Sequence, residues 1–356
     1  MNIKIHSSEL NRMMKTISQC VDEKFDKFSN IEICHENNLL TIRGTNGQFA
    51  AVMSTPLLGG DGESFCVDGV MFARVCGMCS GEVSIITDGT VCTIKGAGRT
   101  RIPIVKADVP EFKEIPDGQP EVKVSAKDFS FAYGCVSHAI SKDQSRLVLT
   151  GVLTEVDDSG LRMTTLDGFR MAIETVDCDG DDMKIVIPGS FMKLIQTSAT
   201  AGETITMVTD GKKVQASTDG MKISCGLIAG EYPDVARIVP SSFNTECLVS
   251  ADKVASALKT SGSINSKNNL VKMVISGGAI TVMSNSEKAD FDAEIPCETQ
   301  GDGLTIAFNQ SYLMDTIGSI VNGDAVMKFG TPSSPCVVQG KGDEGIRLIL
   351  PVRVVA

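Results

Sequence analysis

The feature that most constrains this chain is an internal repeat with a period of about 120 residues. The segment GEVSIITDG begins at Gly81, GETITMVTDG begins 121 residues later at Gly202, and GDAVMKFG begins a further 121 residues on at Gly323. Self-similarity at a fixed period indicates one structural unit written several times. Sequence identity between the copies is low. The repeat therefore indicates a shared fold and does not indicate a recent duplication.

Two further sets of segments keep nearly the same period. Their starting residues are Val67, Ile187 and Phe308 for VDGVMFARVC, IPGSFMKLIQ and FNQSYLMDTI, and Ile3, Val122 and Cys247 for IKIHSSELNRMMKTI, VKVSAKDFSFAYGCV and CLVSADKVASALKTS. A chain of 356 residues divided by three gives units of a common domain size. We predict three domains, at residues 1–118, 119–244 and 245–356.

Within each repeat the pattern predicts an α+β fold, with two helices packed on antiparallel sheets. In SSELNRMMKTIS four apolar residues recur at helical spacing, and Ser8 is a candidate N-cap. The corresponding apolar faces are Leu10, Met13, Met14 and Ile17 in the first repeat, Phe129, Tyr133 and Val136 in the second, and Val254, Ala257 and Leu258 in the third. The tips ENN, DDSG and SGG between apolar runs predict hairpins.

Composition excludes several classes of protein. Hydrophobic residues make up 42% and charged residues 22%, as in ordinary globular proteins. No apolar run approaches the roughly 20 residues of a membrane span, and the start of the chain lacks a secretion signal. We therefore expect a cytoplasmic protein with no membrane partner.

Twelve cysteines raise the question of disulfides or metal. One CxxC pair, Cys76 and Cys79, occurs without a second pair or a nearby histidine, whereas a structural zinc needs four ligands. We interpret the cysteines as small buried apolar residues, kept reduced in the cytosol. No metal and no cofactor are expected.

Signatures of an enzyme are absent from the sequence. GAGRTR from Gly96 lacks the GK[ST] of a phosphate-binding loop, and His6, His35 and His138 have no evident nucleophile and carboxylate partners. No catalytic residues are predicted. A hydrolase without a recognisable triad stays open as an alternative, as does a repeat scaffold that binds only proteins.

Five motifs resemble one known family. SRLVLTGVLTEV from Ser145, TLDGFRMAI around Leu166, GEYPDVARIVP from Gly230, FNQSYLMDTI from Phe308 and IRLILPVRV from Ile346 together resemble the bacterial sliding clamps, the beta subunits of DNA polymerase III. GAGRTRIPIVKADVPEF also resembles the end of the family's first domain. The resemblance spans all three repeats and implies a head-to-tail dimeric ring around duplex DNA. Implied partners are the clamp loader, the replicative polymerase and other proteins with clamp-binding peptides.

A net charge of −11 is unusual for a protein that binds DNA. A ring, however, is retained by topology, so that only its inner surface needs to be basic. The expected DNA-contacting residues lie on the polar faces of the first helices and on the loops that follow them: Arg12, Lys15, Lys24, Lys27, Lys127, Lys142, Arg146, Lys253, Lys259 and Lys267. The alternative for each cation is an ordinary solvated surface.

The resemblance also implies a peptide-binding groove between the second and third domains. Carried over by motif, its residues are Leu149, Leu166, Gly168, Phe169, Arg170, Met171, Pro233, Arg237, Ile238, Leu348, Leu350, Pro351, Val352 and Arg353. An apolar cleft with an arginine at its lip suits a peptide with leucine or phenylalanine anchors. Leu166 and Phe169 depart from the family pattern and predict a more apolar groove. The alternative is that these residues are core positions of strands.

The dimer interface is predicted at two strand edges. RTRIPIV in the first repeat carries Arg99 and Arg101, and EKADFDAEI in the third carries Glu287, Asp290 and Asp292. A chain whose two ends differ and that associates head to tail forms a filament or a closed ring, depending on the rotation per subunit. Opposite charges on these edges favour this pairing over a wrong one.

Overall fold

The structure is a computed structural model that describes residues 2–57, 63–96, 98–264, 269–321 and 323–353. The chain divides into two units, one of Met1–Phe129 with Cys178–Leu227 and the other of Ser130–Asp177 with Ile228–Ala356. Each unit therefore combines segments from two of the sequence repeats.

The first unit contains helices of two kinds and fourteen strands within its described residues. Its α-helices are α1 (Ser7–Ile17), α2 (Asp26–Ser29), α3 (Gly69–Gly77) and α5 (Gly189–Ser198), with a 3-10 helix at Ser18–Cys20 and the start of α4 (Ala126–Val136). Its strands are β1 (Asn2–His6), β2 (Asn30–Glu36), β3 (Leu39–Thr45), β4 (Phe49–Pro56), β5 (Glu63–Asp68), β6 (Glu82–Thr87), β7 (Val91–Lys95), β8 (Arg99–Pro103), β9 (Glu121–Ser125), β13 (Asp179–Gly180), β14 (Met183–Pro188), β15 (Thr204–Thr209), β16 (Lys213–Thr218) and β17 (Met221–Gly226).

The second unit contains the remaining elements. Its α-helices are the rest of α4, α6 (Ala251–Ile264) and α7 (Gln310–Gly318), and its 3-10 helices are Ser137–Ala139, Gln144–Thr150 and Val235–Arg237. Its strands are β10 (Gly151–Asp157), β11 (Gly160–Leu166), β12 (Arg170–Val176), β18 (Thr245–Ser250), β19 (Leu270–Ser276), β20 (Ala279–Asn285), β21 (Asp290–Pro296), β22 (Glu298–Gly301), β23 (Leu304–Asn309), β24 (Asp324–Phe329), β25 (Cys336–Gly340) and β26 (Ile346–Ile349).

The strand and helix order confirms the predicted α+β repeat. A strand runs directly into a helix at β1–α1, β9–α4 and β18–α6, and again at β5–α3, β14–α5 and β23–α7. All ten residues predicted for the apolar helix faces are buried. The hairpin tips are also as expected, since Asn37, Asn38, Gly160, Gly277 and Gly278 adopt positive φ.

The N-cap prediction for the first helix is wrong. His6 occupies the cap position in extended conformation, and its side chain accepts a hydrogen bond from the Ser8 backbone N–H at 3.3 Å. Ser8 lies inside α1, where its hydroxyl contacts His6 Nδ1 at 2.7 Å. A histidine ring nitrogen thus serves the role for which Ser, Thr, Asp or Asn is more common.

Long antiparallel sheets join successive repeats within each unit. In the first unit the order is β13-β9-β15-β16-β17-β4-β3-β2-β5, and in the second, eight neighbouring strands follow the order β10-β11-β12-β26-β25-β24-β18-β22. The joins are β17 against β4, from Met221 opposite Met53, and β12 against β26, from Arg170 opposite Ile349. Backbone hydrogen bonding is therefore continuous across the junction between repeats.

Each unit also has a four-stranded sheet, β1-β6-β7-β8 in the first and β21-β20-β19-β23 in the second. The core of the second unit includes Phe308, Leu313 and Phe329, packed between its sheets and α6 and α7. In the first unit α1 packs on α3 and α5, and Thr16 donates a buried hydrogen bond of 2.8 Å to Ser198. No helix in the described part of the chain combines the length and apolar character that crossing a membrane would need.

Candidate functional site

The candidate site in the second unit is built around the turn that connects β11 to β12. Gly168 adopts a φ of 93°, a conformation that favours glycine. Asp167 Oδ1 accepts hydrogen bonds from the backbone N–H groups of Phe169 at 2.8 Å and Arg170 at 3.0 Å. The turn thereby holds the Phe169 side chain at the surface and out of the core. This side chain is 58% exposed.

Arg170 is fixed by two carboxylates and an aromatic ring. Its Nε donates to Asp167 at 3.0 Å and its NH1 donates to Asp315 of α7 at 2.6 Å. The guanidinium carbon lies 4.4 Å from the centre of the Tyr312 ring, which also contacts Phe169 with centroids 5.8 Å apart. Because Arg170 is buried and doubly paired, it orders the turn and is not a freely available cation.

The segment that follows β26 continues this surface. Leu350 N–H donates to the Phe169 carbonyl and Val352 N–H donates to the Ala307 carbonyl, both at 2.8 Å. These bonds fix the backbone while Leu350 and Val352 remain 38% and 40% exposed. Phe169, Leu350 and Val352 are thus exposed apolar side chains on a hydrogen-bonded backbone, a feature typical of binding sites.

The fourteen predicted groove residues divide by burial. Leu149, Leu166, Arg170, Met171 and Leu348 are buried, Ile238 and Pro351 are half-buried, and Gly168, Phe169, Pro233, Arg237, Leu350, Val352 and Arg353 are exposed. Met171 and Leu348 are directly paired in the β12–β26 ladder. The buried apolar members are core residues, which is the alternative that the sequence left open. They pack beneath the exposed members and do not themselves offer a binding surface.

A second segment approaches the turn from Gly230 onward. Gly230 lies close to the Val148 side chain, and Tyr232 is buried with its hydroxyl beside the Leu166 backbone. Burial raises the pKa of Tyr232 well above its usual range. Pro233 and Arg237 follow at the surface, where Arg237 Nε lies 3.1 Å from Asp234 in an exposed ion pair. Such a pair contributes little to stability, so Arg237 can exchange partners.

Two residues of this cluster were missed from the sequence, Tyr312 and Asp315. Both lie in FNQSYLMDTI, which supported the repeat and the family resemblance but supplied no predicted groove residue. Asp315 is 145 residues from Arg170, and no local pattern connects them. Arg146, predicted to contact DNA, also has its NH1 atom close to Gly168 and therefore beside this turn.

The predicted interface strands lie at sheet edges. β8 pairs only with β7, and β21 pairs only with β20, within the described residues. Arg99 and Arg101 are exposed on alternate positions of β8, as are Asp290 and Asp292 on β21. Glu287 precedes β21 and is also exposed. Each edge therefore presents unpaired backbone groups with charges of one sign, opposite between the two edges.

The predicted DNA-contacting cations lie mostly at the surface. The cations on the first helices are Arg12 and Lys15 on α1, Lys127 on α4, and Lys253 and Lys259 on α6. Lys24 precedes α2 and Lys27 lies in it, whereas Lys142 precedes the 3-10 helix at Gln144–Thr150 and Arg146 lies in it. All are exposed except Arg12, which is half-buried and lies 3.3 Å from Glu9. Lys267 lies outside the described residues.

Within the described residues no group of three or more His, Cys, Asp or Glu side chains is arranged to hold a metal ion. Cys76 is buried and Cys79 is half-buried, with no disulfide between them. The pair thus packs within the fold of the first unit.

Comparison with known proteins adds a family assignment. A model of the DNA polymerase III beta subunit central domain matches residues 123–234, and one of its C-terminal domain matches residues 236–353. The beta sliding clamp of Staphylococcus aureus is 22% identical over 285 residues, covering 76% of this chain and 75% of that protein. That of Staphylococcus epidermidis is also 22% identical, covering 97% and 96%.

Solved structures are similar over almost the whole chain. The DNA polymerase III beta subunit of Thermotoga maritima has a TM-score of 0.90 at 22% identity, covering 99% of this chain and all of that one. The sliding clamp of Pseudomonas aeruginosa bound to griselimycin has a TM-score of 0.91 at 19% identity, with the same coverage. These similarities confirm the predicted fold.

Proposed function

Because the chain belongs to the DNA polymerase III beta subunit family, we propose that it is a DNA polymerase processivity factor. The observation that carries the proposal is the match of two successive family domains to residues 123–353. A processivity factor of this family is not an enzyme, and its effect is to keep a polymerase at its template. Tethering raises the local concentration of the polymerase without supplying catalytic groups.

The proposed architecture has three domains, at 1–118, 119–244 and 245–356, and two chains joined head to tail in a ring around duplex DNA. The exposed edges β8 and β21 support this, because Arg99 and Arg101 on one edge complement Asp290 and Asp292 on the other. Neither guanidinium has a carboxylate partner among the described residues of its own chain. Glu287 would extend the acidic edge.

Contact with DNA is proposed for the exposed cations of α1, α4 and α6 and of the segments after the first helices. Contacts of ammonium and guanidinium groups with phosphate are independent of sequence and weaken with salt, as sliding requires. The net charge of −11 then opposes any tight hold on an open duplex. The clamp loader would place the ring on DNA in the cytoplasm.

The peptide-binding groove is proposed at the Phe169 turn and the Leu350–Arg353 segment. The polymerase and other clients would insert apolar side chains against Phe169, Leu350 and Val352, which are exposed on a fixed backbone. Arg237 and Arg353, at the surface, supply charge at the rim. Because Arg170 is neutralised by Asp167 and Asp315, apolar contacts should dominate the affinity.

The test is retention on DNA after loading. The chain, loaded by a clamp loader on a nicked circle, should remain bound through a gel-filtration column and should be lost when the circle is linearised. Equal retention on circular and linear DNA would contradict encirclement. A chain that binds clients but is never retained on the circle would instead be a scaffold that binds only proteins.

A further inference from the structure

Two cysteines of the second unit lie together at the β18–β22 pair. Cys247 of β18 is directly opposite Thr299 of β22 in antiparallel register. Cys297 lies two residues before Thr299, so that the pleat places it on the same face, diagonal to Cys247. Both sulfur atoms contact the Thr299 hydroxyl, Cys297 at 3.2 Å and Cys247 at 3.9 Å.

The two thiols differ in access to solvent. Cys247 is fully buried, and burial, followed by the adjacent Cys297 thiol, raises the pKa of Cys247 to about 12. Cys297 is half-buried and lies between the exposed residues Pro296 and Glu298. Of the two residues, Cys297 is therefore the more accessible to a small oxidant, and Cys247 is closed off from solvent.

We propose that Cys297 and Cys247 form a peroxide-responsive modification site, in which Cys297 is oxidised first and Cys247 then closes a disulfide. The Cys297 thiolate attacks one oxygen of hydrogen peroxide, the O–O bond breaks, and hydroxide leaves a sulfenic acid on Cys297. The Cys247 sulfur then attacks the Cys297 sulfur. The S–S bond forms as the S–O bond breaks, and the departing hydroxyl takes the Cys247 proton as water.

The stoichiometry closes with two thiols and one hydrogen peroxide giving one disulfide and two waters. In the second step Cys247 loses its proton as the S–S bond forms, because the leaving hydroxyl accepts it. A thiol or dithiol reductant reverses the product by exchange. The site is thus a reversible modification and not a structural disulfide.

Closure requires a small movement of Cys297. Diagonal neighbours in a sheet are farther apart than the roughly 3.5–4.5 Å that separates the Cβ atoms of a disulfide. Cys297 is the single residue between β21 and β22, and its backbone N–H donates to the Gly278 carbonyl at 2.9 Å. Because Cys297 lies outside both strands, we expect a rotation at this junction to bring its sulfur toward Cys247 while the β18–β22 ladder stays paired.

The other close pair, Cys76 and Cys79, offers a matched comparison. Burial raises the pKa of Cys76 above the range of ordinary thiols, and Cys79 donates its S–H to the Val75 carbonyl at 3.4 Å. Cys79 is half-buried like Cys297, but its sulfur is engaged by backbone. Accessibility alone would favour both pairs equally, whereas the shared hydroxyl contact favours Cys247 and Cys297.

The experiment treats the full chain with hydrogen peroxide and maps the products by mass spectrometry after blocking the remaining thiols. The wild type, with twelve cysteines, should lose two thiols and yield a Cys247–Cys297 linked peptide that dithiothreitol removes. Cys297→Ser should lose none on the same timescale, and Cys79→Ser should behave as the wild type. Cys247→Ala should accumulate a sulfenic acid at Cys297, which a dimedone probe traps.

The proposal is overturned by a disulfide that maps to Cys76 and Cys79 instead, or by sulfinic acid at Cys297 while Cys247 stays reduced. It is also overturned if no thiol is lost from the wild type under conditions that oxidise a model cysteine peptide. Should Cys247→Ala fail to fold, the linked-peptide map and the Cys297→Ser variant still decide the outcome.

Discussion

Arg347 and Glu174 form an ion pair in the interior of the second unit, with Arg347 NH2 2.7 Å from Glu174 Oε2 and both side chains almost inaccessible to solvent. Arg347 also donates to Asp343 at 2.9 Å. A Cβ at Gly345 would collide with the Glu174 carboxylate, so glycine is required for this approach. The pair links β12 to β26 and thereby holds the strand that leads to the Leu350 segment.

Replacing Glu174 with glutamine should destabilise the second unit by about 3 kcal/mol, because it leaves the Arg347 charge buried with one carboxylate instead of two. Urea unfolding monitored by circular dichroism measures the loss. Glu82→Gln is the control, since Glu82 pairs with Lys4 on the surface and should change stability by less than about 1 kcal/mol. Equal effects of the two variants would contradict a stability cost that arises from burial of the Arg347 charge.

His138 should make the second unit sensitive to mild acid. Burial, followed by the charge of Arg170, lowers its pKa from 6.5 to about 4, while Asp315 opposes the shift and Arg347 adds to it. Between pH 6.5 and 4 the unfolded chain binds a proton that the folded chain excludes, so the unfolding free energy falls as pH falls through that window. The contribution is at most about 1.4 kcal/mol per pH unit.

Urea midpoints at half-unit intervals from pH 7.5 to 4.5 test this dependence. His138→Gln should flatten the profile in that window, and His6→Asn, which changes an exposed histidine and keeps His138, should retain the slope. An unchanged slope in His138→Gln would assign the acid sensitivity to other groups.

Local patterns in the sequence predicted the local structure well. Strand–helix order, the apolar helix faces and the hairpin tips follow from periodicity and from glycine or asparagine at positive φ. Leu348 and Leu350 show where this stops. They are two residues apart, so the alternation of a continuous strand would place both side chains on the same face. Leu348 is buried and Leu350 is exposed because β26 ends at Ile349.

Long-range partners were not predictable from one sequence. Nothing in IRLIL indicates that Arg347 is buried, since its partner Glu174 lies 173 residues earlier. The same holds for Arg170 with Tyr312 and Asp315, which meet only when the fold brings the start of β12 within reach of α7. The exposed member of each motif, and not the motif itself, identifies the surface available to a ligand.

Leu350→Asp should weaken the binding of a peptide with leucine and phenylalanine anchors at least tenfold, because burying one such side chain contributes roughly 1.5–3 kcal/mol. Leu350 is 38% exposed, so the fold should tolerate the charge. Fluorescence anisotropy with a labelled peptide measures the affinity. Leu39→Asp, at 41% exposure in the first unit, is the matched control and should bind as the wild type.

Met171 distinguishes the surface from its support. It is only 1% exposed, so Met171→Asp should lower the melting temperature as well as the affinity. If Met171→Asp retained the melting temperature of the wild type, or if Leu350→Asp bound the peptide unchanged, the groove would lie on another surface.

Reversing the charges on β8, with Arg99→Glu and Arg101→Glu, should shift the chain from dimer toward monomer at micromolar concentration. Like charges would then face Asp290 and Asp292 across the proposed interface. Adding Asp290→Arg and Asp292→Arg to the same chain should restore the dimer, as sedimentation velocity would show. Lys212→Glu with Lys213→Glu, on an exposed hairpin of the first unit, is the control for net charge.

The cations of α6 should contribute to DNA contact through charge alone. Lys253 and Lys259 are exposed on one helix, and replacing either with alanine should reduce the slope of log affinity against log salt by about one, uniformly across DNA sequences. Lys341→Ala, which removes an exposed lysine 3.9 Å from Asp324, is the control and should leave that slope unchanged. Binding of the chain to a nicked circle, measured across a salt series, gives the slopes. A loss that differs between DNA sequences, or an equal loss in Lys341→Ala, would mean that α6 does not face the phosphates, and the inner surface would then have to be sought among the cations of α1 and α4.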